Sequence, residues 1–129
     1  MQPARLRART WVDACLTVCR SHGIPATVLA RGDADAGTVL LKWRPPGGEG
    51  AVLSPFTGLD GERLWTKVTG ADPVAEAECD AYWRRQRERD RDLWVVEIES
   101  RELWHPLGET VEDERPAERN PAAALFRWR

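Results

Sequence analysis

Carboxylate pairs, a set of thiols and an arginine-aromatic run are the stretches of this chain that could do chemistry. Asp33 and Asp35 stand two residues apart in Gly32-Asp33-Ala34-Asp35-Ala36-Gly37. That is a fragment of a calcium loop or of a two-carboxylate magnesium site. A complete calcium loop needs more oxygen ligands and a distal bidentate Glu, and none follows at that spacing. The same residues make sound turn chemistry, since Asp hydrogen-bonds nearby backbone and Gly supplies positive φ. Glu97 and Glu99 form a second pair on one face of an extended stretch. Paired carboxylates act as acid and base when their surroundings separate their pKa values, but no Ser, Cys or His is placed beside them by spacing.

Cys15, Cys19 and His22 follow one another at helical spacing and could face one point, with Cys79 as a fourth zinc ligand. Structural zinc sites place their cysteines on tight knuckles, and free Cys behaves as a small buried hydrophobe. Core packing is therefore expected of these four weak metal candidates. The glycines of the 44–50 turn are not followed by Gly-Lys-Ser/Thr, so they form no phosphate loop, and no cofactor is expected.

The run Tyr82-Trp83-Arg84-Arg85-Gln86-Arg87-Glu88-Arg89-Asp90-Arg91 places aromatics beside arginines, a combination that stacks on bases and holds phosphates. Against this, Glu88, Asp90 and Asp92 interleave with the arginines, and such alternation usually marks a solvated, ion-paired face.

These groups need elements to position them. The length, 129 residues with 42% hydrophobic content, fits one domain. Charged residues reach 31% but balance to −2, so only a local basic patch could attract nucleic acid. Three cysteines close no disulfide framework. The basic lead-in to Arg9 is followed by an apolar stretch broken by Asp13 and Arg20, which is neither a signal core nor a membrane span. A reducing cytoplasm is the expected setting. Seven Trp against two Phe and one Tyr is a marked bias; Trp serves as interface anchor or core filler.

The centre of the chain is Ile24 to Trp43, two apolar strands joined by the acidic loop and expected to pair as a hairpin. Val28 and Ala30 should share one face of the first strand, with Leu29 opposite; Val39, Leu41 and Trp43 share a face of the second, with Leu40 and Lys42 opposite. Strands apolar on both faces are central and need cover on both sides, from helices or from a partner. Upstream, Thr10 and Asp13 form a capping box for a helix running to about His22 and ending at Gly23. Downstream come strands at Ala51–Ser54 and Arg63–Thr69. A helix then runs from Pro73, capped by Asp72, to about Glu88, and a strand covers Leu93–Glu99. The sum is an α+β domain over residues 1–106: a mainly antiparallel sheet of about five strands with two helices, in the order α-β-β-β-β-α-β. Residues 107–129 read as a disordered linker ending in an apolar tip, Leu125, Phe126 and Trp128, of the kind that docks in a groove.

Taken together, Arg9-Thr10-Trp11-Val12, Gly23-Ile24-Pro25-Ala26, the 31–37 loop and Asp92-Leu93-Trp94-Val95-Val96-Glu97-Ile98-Glu99 resemble a small alphaproteobacterial family known only as a domain of unknown function. The resemblance runs from about Arg5 to Leu103. It implies a small stand-alone bacterial protein, with no activity or catalytic residues to carry over. The residues themselves favour a non-enzymatic, self-associating interaction module whose partner is another protein or a second copy, a homodimer. One alternative is a nucleic-acid-associated factor using Tyr82, Trp83, Arg84, Arg85 and Arg87. The other is a metal-dependent enzyme or small-ligand binder at Asp33 and Asp35. No membrane association is expected.

Overall fold

The computed structural model describes residues 7–112. Helix α1 (Ala8–Ser21) leads to β1 (Ala26–Ala30), β2 (Val39–Arg44), β3 (Glu49–Thr57), β4 (Arg63–Lys67) and a short β5 (Val74–Ala75). Helix α2 (Glu76–Arg89), β6 (Trp94–Glu99) and β7 (Thr110–Glu112) complete the order. This is the α+β arrangement expected, with a sheet of seven strands rather than about five; β5 and β7 are the additions.

The expected hairpin does not form. The sheet order is β1-β6-β2-β3-β4-β7, so β6 inserts between β1 and β2, antiparallel to the first and parallel to the second. A bulge between Val28 and Ala30 also breaks the alternation in β1. Val28 packs on one core and both Leu29 and Ala30 on the other, correcting the expectation that Val28 and Ala30 share a face. An extra residue in a strand has this effect: it shifts every side chain beyond it to the opposite face.

The two-sided strands are central, and helices cover both of their faces. Trp11, Val12, Cys15 and Cys19 of α1 pack with Val39, Leu41, Leu53, Trp65, Trp94, Val96 and Ile98. On the other side, Cys79, Tyr82 and Trp83 of α2 pack with Leu40, Val52, Leu93 and Val95. The second layer is thinner, because Cys79 is the one fully buried side chain of α2 among the described residues. No helix of the described residues is long and apolar enough to cross a membrane.

Both helix starts differ from expectation. Thr10 lies inside α1, which begins at Ala8 without a side-chain cap. Its first N–H groups are satisfied by the acidic loop instead: Ala8 donates to the Asp35 carbonyl (3.2 Å) and Arg9 to that of Ala34 (2.9 Å). Helix α2 begins at Glu76, not Pro73, because Val74 and Ala75 stay extended and pair with β3 while the Glu76 N–H donates to the Gly48 carbonyl (2.9 Å). The end of α1 is as expected, with Gly23 at φ 69°, where only a residue without Cβ is unstrained. Thr110–Glu112, within the stretch expected as linker, pair in parallel with β4. The apolar tip Leu125, Phe126 and Trp128 lies outside the described residues.

Candidate functional site

The strongest concentration of charge sits under α2. Lys42 is a charged strand residue only 3% exposed. Its Nζ meets three carboxylates: Asp80 at 2.7 Å, Glu76 at 2.9 Å and Glu97 at 2.9 Å. Topology explains the gathering. Lys42 and Glu97 are register partners on the parallel strands β2 and β6, while Glu76 and Asp80 stand four residues apart on α2, hence on one face. Arg44 adds a second cation, 3.1 Å from Glu76 and 3.9 Å from Glu97. Burial alone would pull the Lys42 pKa down, but hydrogen bonds to Asp80, Glu97 and Glu76 outweigh it and hold the ammonium above the ordinary lysine range. Burial likewise pushes Asp80 up, yet its bonds from Lys42 and Trp83 keep it below the usual carboxylate range. A lysine held this firmly protonated is no nucleophile or base. It is a clamp between helix and sheet.

The Glu97/Glu99 pair is therefore split: Glu97 serves Lys42 while Glu99 is exposed. Nothing in the sequence pointed to Lys42 as an ionic hub, because its partners come from two distant elements. The available signal was a Lys sharing a strand face with Leu40.

The acidic loop is a structural joint. Asp33 Oδ2 accepts N–H bonds from Asp35 (3.1 Å) and Ala36 (2.8 Å), and the Asp33 carbonyl accepts from the Trp94 indole (2.7 Å). Asp35 is exposed and lies 3.6 Å from Arg7. Among the described residues no three His, Cys, Asp or Glu side chains are grouped to hold a metal. The thiols divide in the same way. Cys15 and Cys19 lie in the α1 layer, Cys79 lies in the α2 layer across the sheet, and His22 is exposed, so the four cannot meet at one ion. Burial, then the neighbouring Cys19, pushes the Cys15 thiol up to about 12, and burial raises Cys19 and Cys79 as well. Protonated, buried thiols are inert.

A second polar centre, unsuspected from sequence, is built on His105. Its ring lies 4.8 Å from that of Trp65 and 5.9 Å from that of Trp11. The Arg63 guanidinium stacks over both indoles at 5.3 Å. His105 Nδ1 accepts N–H bonds from Leu107 (3.2 Å) and Glu109 (3.3 Å), which places the ring proton on Nε2. Burial first, then Arg63, drives the His105 pKa from 6.5 down to about 4. The folded state thus resists protonation more than the unfolded chain does. Its stability should fall as pH drops from about 6.5 through about 4. Urea unfolding of wild type and His105→Asn at stepped pH checks this: the variant should lose that component of the slope, and parallel curves would refute it.

Tyr82, Trp83, Arg84, Arg85 and Arg87 all lie on α2, from its middle toward its C-terminal end. Tyr82 and Trp83 are half-buried against the sheet, and Arg84 and Arg85 are exposed. Trp83 donates its indole N–H to Asp80 (3.0 Å) and carries the Arg84 guanidinium over its ring at 5.3 Å. Arg87 Nη2 donates to the Arg31 carbonyl at 2.6 Å. Trp83, Arg84, Arg87, Glu88 and Arg91 line an open cleft of about 310 Å³.

Similar proteins share this architecture. The crystal structure of a DUF1491 family protein from Caulobacter crescentus CB15 is 39% identical; the match covers 84% of this chain and 100% of that one, with a TM-score of 0.75. An NMR structure of a DUF1491 family protein from the same organism matches at 38% identity, over 86% and 100% of the two chains, with a TM-score of 0.74. The solution structure of Atu0922 from A. tumefaciens matches at 27%, over 87% and 98%, with a TM-score of 0.70. No functionally curated protein matches the chain. The family model described as "Protein of unknown function (DUF1491)" matches residues 6–108, and the chain belongs to that family.

Proposed function

We propose that this protein is a non-catalytic interaction module of the cytoplasm that associates with itself through the β1 edge of its sheet. The observation that carries the reading is the position of β1. It pairs with β6 on one side, and among the described residues no strand lies beyond it. An edge strand offers unpaired N–H and C=O groups to another strand, and pairing two edges is a common route to association. The groups with reactive side chains support the same reading, because they are engaged within the fold. Lys42 is neutralised by three carboxylates, the Asp33 carboxylate closes a turn, and the cysteines are buried.

Sedimentation equilibrium over a wide concentration range tests the proposal. Wild type should sediment as a dimer. Thr27→Asp, at an exposed β1 position, puts a carboxylate on each copy of the edge and should weaken the dimer at least about tenfold. A wild type monomeric throughout would overturn the reading, as would a dimer indifferent to the substitution.

A further inference from the structure

We infer that the cleft formed by Trp83, Arg84, Arg87 and Arg91 is a binding site for single-stranded nucleic acid, separate from the β1 edge. The alternating charges of residues 84–92 suggested an ion-paired face, yet among the described residues none of these arginines pairs with a carboxylate. Asp90, exposed at the end of α2, is engaged locally, its Oδ1 accepting the Asp92 N–H at 3.0 Å. Five arginines face three carboxylates across that stretch, so a local excess of positive charge stands on a chain whose net charge is −2.

Arg87 is the sharpest feature. It is half-buried and fixed by its bond to the Arg31 carbonyl, while its Nε is buried without a hydrogen-bond partner among the described residues. A guanidinium partly withdrawn from water without a counter-ion is costly, and an anion in the cleft would offset that cost. Arginines near a helix C-terminus also complement the helix dipole, but that benefit does not require Arg87 to be withdrawn from water.

The form of the cleft selects the anion. The Arg84 guanidinium sits over the Trp83 ring, 5.3 Å from its centre, and that indole is itself held by Asp80. A guanidinium stacked in this way presents its outer face to a further planar group, and unstacked bases use such planes. The open cleft suits a chain passing across it, with Arg87 and Arg91 on phosphates. A duplex keeps its bases stacked and an acidic peptide has none, so neither would use the stack.

Fluorescence anisotropy of a labelled uridine oligonucleotide, titrated with full-length protein at several salt concentrations, tests this. Arg87 and Arg91 on phosphates predict a log–log salt slope of about −1.4. Arg84→Gln/Arg91→Gln changes two exposed side chains, should leave thermal unfolding unchanged, and should weaken binding at least tenfold while flattening the slope to about −0.7. Arg84→Lys keeps the charge but loses the plane, and it should weaken the oligonucleotide without affecting inorganic polyphosphate. A wild type that does not bind, or a double variant that binds as well as wild type, overturns the inference. So does equal displacement by poly-glutamate of matched charge, which would make the ligand an acidic protein.

Discussion

Lys42→Ala is expected to lower the unfolding free energy by about 3–5 kcal/mol, the range for removing one partner from a buried ionic cluster. The reason is what remains. Glu76, Asp80 and Glu97 all converge on the Lys42 ammonium within 2.9 Å, and without it three carboxylates would face one another with only the half-exposed Arg44 nearby. The loss should be concentrated in α2, whose apolar attachment is thin. Amide exchange in that helix should accelerate more than in β2 or β6.

The deficit should also depend on pH in a definite direction. In wild type the folded-state pKa of Asp80 is depressed, so its contribution is complete above the unfolded value and fades as pH falls through the folded one. Lys42 is raised, so its contribution persists at every pH below its ordinary value of 10.5. In Lys42→Ala the crowded carboxylates repel and take up protons more readily, which relieves the variant in acid. The gap between the two proteins should be widest near neutrality and narrow as pH falls below about 5. Chemical denaturation at pH 7 and pH 4 measures it. A gap that widened in acid, or one smaller than about 1 kcal/mol at neutrality, would show that the cluster is not the clamp described.

What could be read beforehand divides along a physical line. Local signals sufficed for the existence of the two helices, for the Gly23 cap, for the two-sided apolar character of the strand at Val39–Leu41 and for a strand at Leu93–Glu99, which runs of hydrophobic residues express directly. Non-local pairing was not written locally. A short acidic loop with glycines at each end is the usual mark of a hairpin, and nothing within residues 24–43 reports that β6 will pass between the strands. Lys42 escaped notice for the same reason, since its partners arrive through the crossover and through α2. His105 escaped because its neighbours Trp11, Arg63 and Trp65 are contributed by α1 and β4. The arginine run was legible as composition, but whether its carboxylates would pair depended on rotamers that no spacing rule sets.

The acidic loop carries this lesson furthest, because its glycines should prove more consequential than its carboxylates. Gly32→Ala is expected to cost about 3 kcal/mol or more. A Cβ there would stand 1.9 Å from the Asp92 carbonyl oxygen, and one at Gly37 would stand 2.2 Å from the same atom. Neither glycine has positive φ, so the constraint is close approach of two backbones rather than dihedral strain. Backbone cannot swing aside as a flexible side chain would. The start of β6 would have to move, disturbing the bond from the Asp33 N–H to the Asp92 carbonyl (2.9 Å) and that from the Trp94 indole to the Asp33 carbonyl (2.7 Å). The same loop supplies the carbonyls that satisfy Ala8 and Arg9, so the first turn of α1 should loosen with it. Asp33→Asn retains an acceptor for the Asp35 and Ala36 N–H groups and should cost well under about 1 kcal/mol. Thermal unfolding of the two variants, with amide exchange at Ala8 and Arg9, compares them directly. If Asp33→Asn were the more damaging, the carboxylate's charge would matter beyond the turn and the loop would again become a candidate ligand site; the close approach of Gly32 to Asp92 argues for the opposite order.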